Sequence, residues 1–306
     1  MALPYRLIHK EIPEMSAILW LATLMFLPSL AQAHAGHSHE GLWQPDPWVL
    51  TPLSLGTCLY GLGLLRLWRR RPSPLRMTAF AAALLCLFLA LVWPLEALSG
   101  HSFAAHMLQH MLLLSIAAPL LVAARPLPVI LAALSPPARR LLIRGFARHS
   151  FGIWSLITRP GIAFALHALI IWAWHAPAAF QWALRNDTVH FMEHLCFLLS
   201  AHLFWWSMLN RGGSSLQRYG SNTLWVLSTL IHTGFLGAVL TFARYPLYTY
   251  YAEQAQTVGL LWGLSPLEDQ QLGGTLMWVL GAGPYLLAGL VLVLLCLRAL
   301  ERRTSH

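Results

Sequence analysis

The sequence predicts an all-α protein: a polytopic membrane helix bundle with seven transmembrane helices after an N-terminal signal segment. Three observations lead to this fold class. The chain of 306 residues is 57% hydrophobic and only 10% charged, whereas a soluble domain is about 25% charged. Its apolar runs are continuous and long enough to span a bilayer, and its arginines fall in alternate loops. Because backbone polar groups must pair within each segment in hydrocarbon, such runs are predicted to be helices.

The first segment has the features of a secretory signal. Arg6 and Lys10 precede an apolar stretch, and residues 31–33 read Ala-Gln-Ala, a pattern after which signal peptidase cuts. We expect cleavage after Ala33, and an uncleaved first span is the alternative. The chain then divides into a signal peptide (1–33), a His-rich extracytoplasmic leader (34–47), a seven-helix transmembrane domain (48–298) and a cytoplasmic tail (299–306).

Arginine placement predicts how the helices face. The seven apolar runs lie at about 48–68, 77–98, 102–124, 162–183, 188–209, 223–244 and 272–297. Loops after the first, third and fifth runs, with the tail, hold fifteen basic residues, while the opposite loops hold only Arg185 and Arg244. Basic loops stay cytoplasmic, so we expect a bacterial plasma (inner) membrane protein with its mature N-terminus outside and its C-terminus cytoplasmic. The net charge of +9 then reflects topology, and nucleic acid is not an expected partner.

A basic segment lies between the third and fourth runs. Residues 138–149 read ARRLLIRGFARH, with arginines at 140, 144 and 148 and apolar residues between them. This pattern predicts a helix on the cytoplasmic leaflet that contacts anionic lipid.

Five histidines are predicted to lie at one depth in the outer half of the bundle. His106 and His110 on the third run, and His190 and His194 on the fifth, are two i, i+4 pairs, so each pair shares one helix face. Both runs start outside, and His175 ends the fourth run just before Pro177, which is expected to disturb the helix. Ionisable side chains inside a membrane are costly and tend to mark sites, so these five histidines are the predicted metal ligands.

Further residues join this candidate site. Imidazole suits copper, zinc or haem iron, and thioether adds a preference for Cu(I). Met107 and Met111 are therefore additional candidate ligands, and so are His34, His37 and His39 of the leader. We expect the two carboxylates Glu193 and Asp269 to orient the histidine rings by hydrogen bonds without binding the metal themselves.

Several short motifs recur in a fixed order between about residues 100 and 290. They are His106-Met107-x-x-His110, Pro119-Leu120-Leu121 with Arg125-Pro126, Trp174-His175-x-Pro177, His190-x-x-Glu193-His194 with Phe204-Trp205, and Asp269-Gln270-Gln271-x-Gly273-Gly274 before Met277-Trp278. In this order they resemble the multi-pass CtaG family of cytochrome c oxidase assembly proteins, named for caa-type oxidases. The resemblance implies a seven-span plasma-membrane protein that helps to build the copper centre of a haem-copper oxidase, with the motif histidines and Asp269 as candidate residues.

The expected function is copper handling for oxidase assembly. Cu(I), received from a periplasmic donor, is held in the histidine cluster and passed to an oxidase subunit in the membrane; no substrate bond changes, so the protein is not expected to be an enzyme. Three alternatives stay open: a haem-binding protein, a transporter of copper or protons, and a scaffold for oxidase subunits that binds no metal. In the scaffold hypothesis the outer contact is a tyrosine-rich stretch, Tyr245, Tyr248, Tyr250 and Tyr251.

Overall fold

The computed structural model describes residues 46–149, 151–209, 216–257 and 261–304. These residues form helices and turns, with no strand in any of the four segments, so the all-α prediction is confirmed. The signal segment and leader residues His34, His37 and His39 lie outside the described residues, and the predictions made for them stay predictions.

The helices follow one another with short connections. In chain order they are α1 Pro47–Arg66, α2 Pro74–Leu91, α3 Leu95–Ser99, α4 Phe103–Met111, a π-helical segment Leu112–Ala117, α5 Ala118–Ala124, α6 Leu127–Ala132, α7 Pro136–His149, α8 Phe151–Ile157, α9 Pro160–His175, α10 Pro177–Leu184, α11 Asp187–Leu209, α12 Leu216–Thr241, α13 Thr249–Thr257, a 3-10 turn Leu261–Gly263 and α14 Pro266–Thr304.

Five segments of the described chain are long and apolar enough to cross a membrane: α1, α2 with α3, α4 through α5, α12, and α14 as far as Arg302. The bent pair of α9 and α10 makes a sixth if it counts as one span. Helix α11 is the predicted fifth span, but it is not among them, because His190, Glu193, His194 and His202 reduce its apolarity. A multi-pass membrane protein is therefore supported, and the count of seven spans stays a prediction.

A proline separates α9 from α10. The two helices meet at an angle of 71°, and Ala176 between them is extended, with φ −61° and ψ 132°. A residue before proline is pushed out of the α region by its clash with the proline ring. The predicted disturbance at Pro177 is confirmed, and it leaves His175 as the last residue of α9.

Helix α11 lies inside the bundle. It contacts α9, α10, α5 and the π-helical segment, and Phe197, Phe204 and Trp205 on it are almost fully buried. The Trp205 indole donates a hydrogen bond of 3.0 Å to the Leu114 carbonyl in the π-helical segment. Because protein covers most of this helix, α11 can carry polar side chains that a lipid-facing helix would not tolerate.

Two glycines let α14 approach its neighbours closely. A methyl group on Gly273 would lie 2.4 Å from Cδ1 of Phe103 on α4, and one on Gly274 would lie 2.6 Å from the Thr241 backbone nitrogen on α12. Both distances are shorter than van der Waals contact, so a side chain at either position would push the helices apart. This close packing brings Asp269, one turn earlier on α14, to the start of α4.

The predicted basic helix is present as α7, Pro136–His149. Leu142 and Ile143 pack against Leu127 and Leu131 of α6, while Arg139, Arg140, Leu141 and Arg144 are exposed. The helix is thus amphipathic, with one face on the protein and an arginine-rich face turned outward. Its contact with anionic lipid stays a prediction.

Candidate metal centre

Helix α4, which carries two of the predicted histidines, begins at a carboxylate supplied by α14. Asp269 accepts hydrogen bonds from the Phe103 N–H (2.6 Å), the Ala104 N–H (3.1 Å) and the Ser102 hydroxyl (2.7 Å). A carboxylate at a helix N-terminus pairs N–H groups that the helix leaves open and interacts favourably with its dipole. Because these bonds go to the backbone and to Ser102, the effect of Asp269 on the histidine rings passes through the position of α4.

Two i, i+4 histidine pairs meet between α4 and α11. The rings of His106 and His110 have centroids 4.3 Å apart and Nε2 atoms 2.9 Å apart, and the rings of His190 and His194 are 4.2 Å apart. Across the two helices, His106 lies 5.1 Å from His190 and His110 lies 5.4 Å from His194. The structure therefore brings these four predicted histidines into one cluster.

Glu193 lies within the same cluster. Its Oε2 is 3.7 Å from Nε2 of His106 and 3.9 Å from Nε2 of His110. Each of His106, His190, Glu193 and His194 offers one ligand atom, and these four atoms all lie within 4.8 Å of one another. The sequence predicts that Glu193 orients the histidine rings without binding the ion, but the structure places its carboxylate beside the imidazole nitrogens, where it can bind the ion itself.

The bonding of Glu193 fits a cation in this position. Its side chain is fully buried, and neither carboxylate oxygen has a hydrogen-bond partner. A buried carboxylate without hydrogen bonds is energetically costly, and a metal ion bound by the cluster would compensate for the missing donors.

Tyr251 sets the protonation of His106. The Tyr251 hydroxyl donates to the Ser99 carbonyl (2.9 Å) and lies 3.1 Å from Nδ1 of His106. Since the single hydroxyl hydrogen goes to Ser99, Nδ1 of His106 must donate, and Nε2 then carries a lone pair. Burial raises the pKa of Tyr251 well above its usual value, and the Asp269 carboxylate raises it further, so the phenol stays protonated.

In His175 and His190, as in His106, Nδ1 faces an acceptor and Nε2 is left available. Nδ1 of His175 donates to the Ile171 carbonyl at 2.7 Å, and Nδ1 of His190 lies 3.6 Å from Oε1 of Glu96. In both residues Nε2 is buried without a hydrogen-bond partner. A histidine oriented through Nδ1 presents Nε2 as a metal ligand. The His175 ring is 5.9 Å from that of His110, and His175 is not one of the four residues that meet within 4.8 Å, so it lies beside the group.

The two methionines face the last helix. A methyl group on Gly281 would lie 2.7 Å from the sulfur of Met111, and one on Gly273 would lie 3.1 Å from Cγ of Met107. Met107 is fully buried and Met111 nearly so. These contacts with α14 favour a packing role, on a different side of α4 from the histidines.

Two residues of the site are missed by the sequence analysis. Tyr251 belongs to the predicted outer tyrosine contact, but Tyr251 and Tyr248 are only 4% and 2% exposed, and the Tyr248 hydroxyl donates to the His175 carbonyl at 2.9 Å. Glu96 lies in the short helix α3 and reaches His190. Both residues lie near the predicted outer ends of the spans, at the depth predicted for the histidines. That position is the feature of the sequence from which they could have been predicted.

Fold and site together define a class: a multi-pass helical membrane protein with a buried histidine–carboxylate cluster between two of its helices. The model of one protein family, the cytochrome c oxidase caa3 assembly factors (Caa3_CtaG), matches residues 58–299. The chain belongs to this family, which confirms the resemblance to the CtaG proteins. The matched region includes every residue of the cluster.

Individual relatives are more distant. The chain is 28% identical over 200 residues to an uncharacterized protein of Mycobacterium bovis and, equally, to one of Mycobacterium tuberculosis. Each alignment covers 62% of this chain and 29% of the relative, so the chain spans less than a third of these longer proteins. No solved structure matches the chain.

Proposed function

We propose that this protein is a copper-handling assembly factor for a haem-copper cytochrome c oxidase. The group of His106, His190, Glu193 and His194 holds Cu(I), with His110 and His175 as neighbouring ligands, and the ion is passed to the oxidase copper centre. One observation carries the proposal: four ligand atoms within 4.8 Å of one another, in a chain that belongs to an oxidase assembly family. The proposed role makes and breaks no substrate bond, so it is not enzymatic.

The charge of the cluster supports a monovalent ion. Glu193 is the one carboxylate among the four grouped residues, and the histidines contribute as neutral ligands. A single carboxylate balances the charge of Cu(I), whereas a divalent ion would leave a positive charge in a buried site, which is costly. Imidazole ligands also suit copper. With Glu193 as the counter-charge inside the group, Cu(I) can be held there without a net charge.

The position of the cluster supports transfer near the outer surface. His175 is the last residue of α9, and His190 lies in the first turn of α11. In the proposed orientation, with the N-terminus outside and the C-terminus cytoplasmic, these helix ends face the periplasm. A periplasmic donor and the leader histidines meet the ion first, and a membrane subunit of the oxidase receives it.

Two alternatives fit the geometry less well. A haem between two axial histidines needs room for the macrocycle, but here the imidazoles contact one another and Glu193 lies beside them. A transporter needs ligands further along the bundle. His167, earlier on α9 than His175, has both nitrogens engaged: its Nδ1 bonds the Ser200 hydroxyl (3.1 Å) and its Nε2 bonds the Tyr285 hydroxyl (3.2 Å).

Metal content of the purified chain tests the proposal. We expect near-stoichiometric copper in the wild type after loading with Cu(I) under reducing conditions, and its loss in His106→Ala/His110→Ala. Glu193→Gln, which keeps the size of the side chain and removes its charge, should also weaken binding. His232→Ala is the matched control, because His232 bonds Trp172, away from the cluster. Equal copper in the wild type and the double variant would overturn the proposal, and no copper in the wild type would favour the scaffold.

A further inference from the structure

The cluster reaches the molecular surface at Glu96 and His190. The side chain of Glu96 is 32% exposed and that of His190 is 16% exposed, while those of His106, His110 and Glu193 are fully buried. Nδ1 of His190 faces Oε1 of Glu96 at 3.6 Å, and its Nε2 is buried. His190 therefore lies between a partly exposed carboxylate and the buried ligand group.

Aromatic side chains close other sides of the cluster. Phe180 and Phe197 are fully buried, with rings 4.9 Å from His106 and 4.6 Å from His110, respectively. Tyr251 covers His106 where the two form their hydrogen bond. Within the described part of the chain, the cluster is thus partly exposed on the side of the Glu96–His190 pair, and this side is polar.

Glu96 is fixed in place by the helix that carries the cluster. The amide nitrogen of Gln109 donates to Oε2 of Glu96 (2.5 Å) and to the Ala90 carbonyl (2.7 Å). Gln109 is fully buried and lies on α4. One carboxylate oxygen is therefore anchored on α4, and the other is turned toward His190.

Further negative charge surrounds this opening. Asp46 and Asp187 both lie close enough to act electrostatically on Glu96, and Asp187 also acts on His190. Carboxylates at a mouth with low-dielectric walls concentrate cations and accelerate their binding. The field here attracts a positive ion toward the exposed side of His190.

We propose that the cation enters the cluster between Glu96 and His190, and that Glu96 is the first ligand it meets within the helix bundle. The ion then exchanges this carboxylate for the imidazole nitrogens and Glu193 further inside. This inference rests on the proposed copper-binding function and adds the route and the residue that governs the rate of uptake. The route suits a cation that binds carboxylate weakly and prefers imidazole, as Cu(I) does.

The rate of copper uptake tests the route separately from the amount bound. The full chain in detergent is mixed with Cu(I) under ascorbate, uptake is stopped at set times with excess chelator, and bound copper is measured by elemental analysis. Glu96→Gln retains an oxygen that can accept the Gln109 hydrogen bond. We expect it to slow uptake on the order of 10-fold, with an unchanged final amount of copper. Salt should slow the wild type more than this variant, because screening acts on the removed charge as well as on Asp46 and Asp187, which remain.

Glu268→Gln is the matched control, since Glu268 is an exposed carboxylate that contacts Ser265. It should load at the wild-type rate. Wild-type kinetics and salt dependence in Glu96→Gln would overturn the route while leaving the copper site intact. A parallel loss of rate and final amount would also overturn it, because Glu96 would then support the site itself. If His106→Ala/His110→Ala binds as much copper as the wild type, the proposed function fails and the route fails with it.

Discussion

Tyr251 and His106 form a hydrogen bond of 3.1 Å between α13 and α4, although they are 145 residues apart in the chain. The bond fixes which nitrogen of His106 carries the hydrogen, and Ser99 fixes the Tyr251 hydroxyl in turn. The segment between the last two long helices therefore controls a ligand on the third predicted span. Outer-shell partners of this kind orient metal-binding histidines and affect metal affinity.

Tyr251→Phe should weaken copper binding by about 10- to 100-fold, the range usual for loss of an outer-shell partner. The phenylalanine keeps the buried ring but leaves Nδ1 of His106 without an acceptor. Affinity is measured by competition with a Cu(I) chelator. Tyr245→Phe is the control, because Tyr245 is 68% exposed. Unchanged affinity in Tyr251→Phe would mean that His106 is oriented by the packing of its ring alone.

Asp269→Asn should destabilise the start of α4. The substitution removes the negative charge that faces the N–H groups of Phe103 and Ala104, and hydrogen bonds to charged groups contribute about 1.5–3 kcal/mol each. We expect a lower thermal unfolding midpoint together with weaker copper binding, since His106 lies on the same short helix. Glu268→Gln, one residue earlier, should leave copper binding unchanged and lower the midpoint less, because glutamine can keep the hydrogen bonds to Ser265 at the start of α14. Weaker binding with an unchanged midpoint would indicate that Asp269 acts on the site directly.

Gly273→Ala tests the packing that brings α14 to α4. The added methyl group would lie 2.4 Å from the buried Phe103 ring, and overpacking of this kind costs about 1–3 kcal/mol. We expect a lower unfolding midpoint and reduced copper binding. Gly289→Ala is the control, because its methyl group would lie 3.8 Å from its nearest neighbours. Equal midpoints for the two variants would show that α14 can move away from α4 without loss.

The histidine pairs could be predicted because their arrangement is local. A spacing of four residues places His190 and His194 on one face of any helix, and long apolar runs place that helix in the membrane. The partners of these histidines could not be predicted in the same way. Glu96 meets His190 only because α3 packs against α4, and no spacing in the sequence records that packing. Long-range packing decides such contacts.

The number of membrane spans also depends on packing that the sequence does not record, as helix α11 shows. Apolarity identifies helices that face lipid, whereas α11 is largely enclosed by protein and carries Glu193 and three histidines. The methionines also could not be assigned from spacing alone. Met107 and Met111 have the same i, i+4 spacing as the histidines, but on their side of α4 they face glycines of α14. Residue type and spacing propose ligands, and the neighbouring helix determines which of them meet.

The exposed arginines of α7 should bind anionic lipid. Arg140 and Arg144 are both exposed and one turn apart, while Leu142 and Ile143 hold the helix against α6, so Arg140→Gln/Arg144→Gln should leave the fold intact. Each basic residue near an anionic surface contributes about 1 kcal/mol, so the double variant should retain phosphatidylglycerol about 30-fold less strongly. Lipid retention is measured by exchange in nanodiscs that contain phosphatidylglycerol and phosphatidylcholine. Arg244→Gln, on the opposite side of the predicted membrane, is the control, and equal retention in all three proteins would show that α7 does not recognise lipid charge.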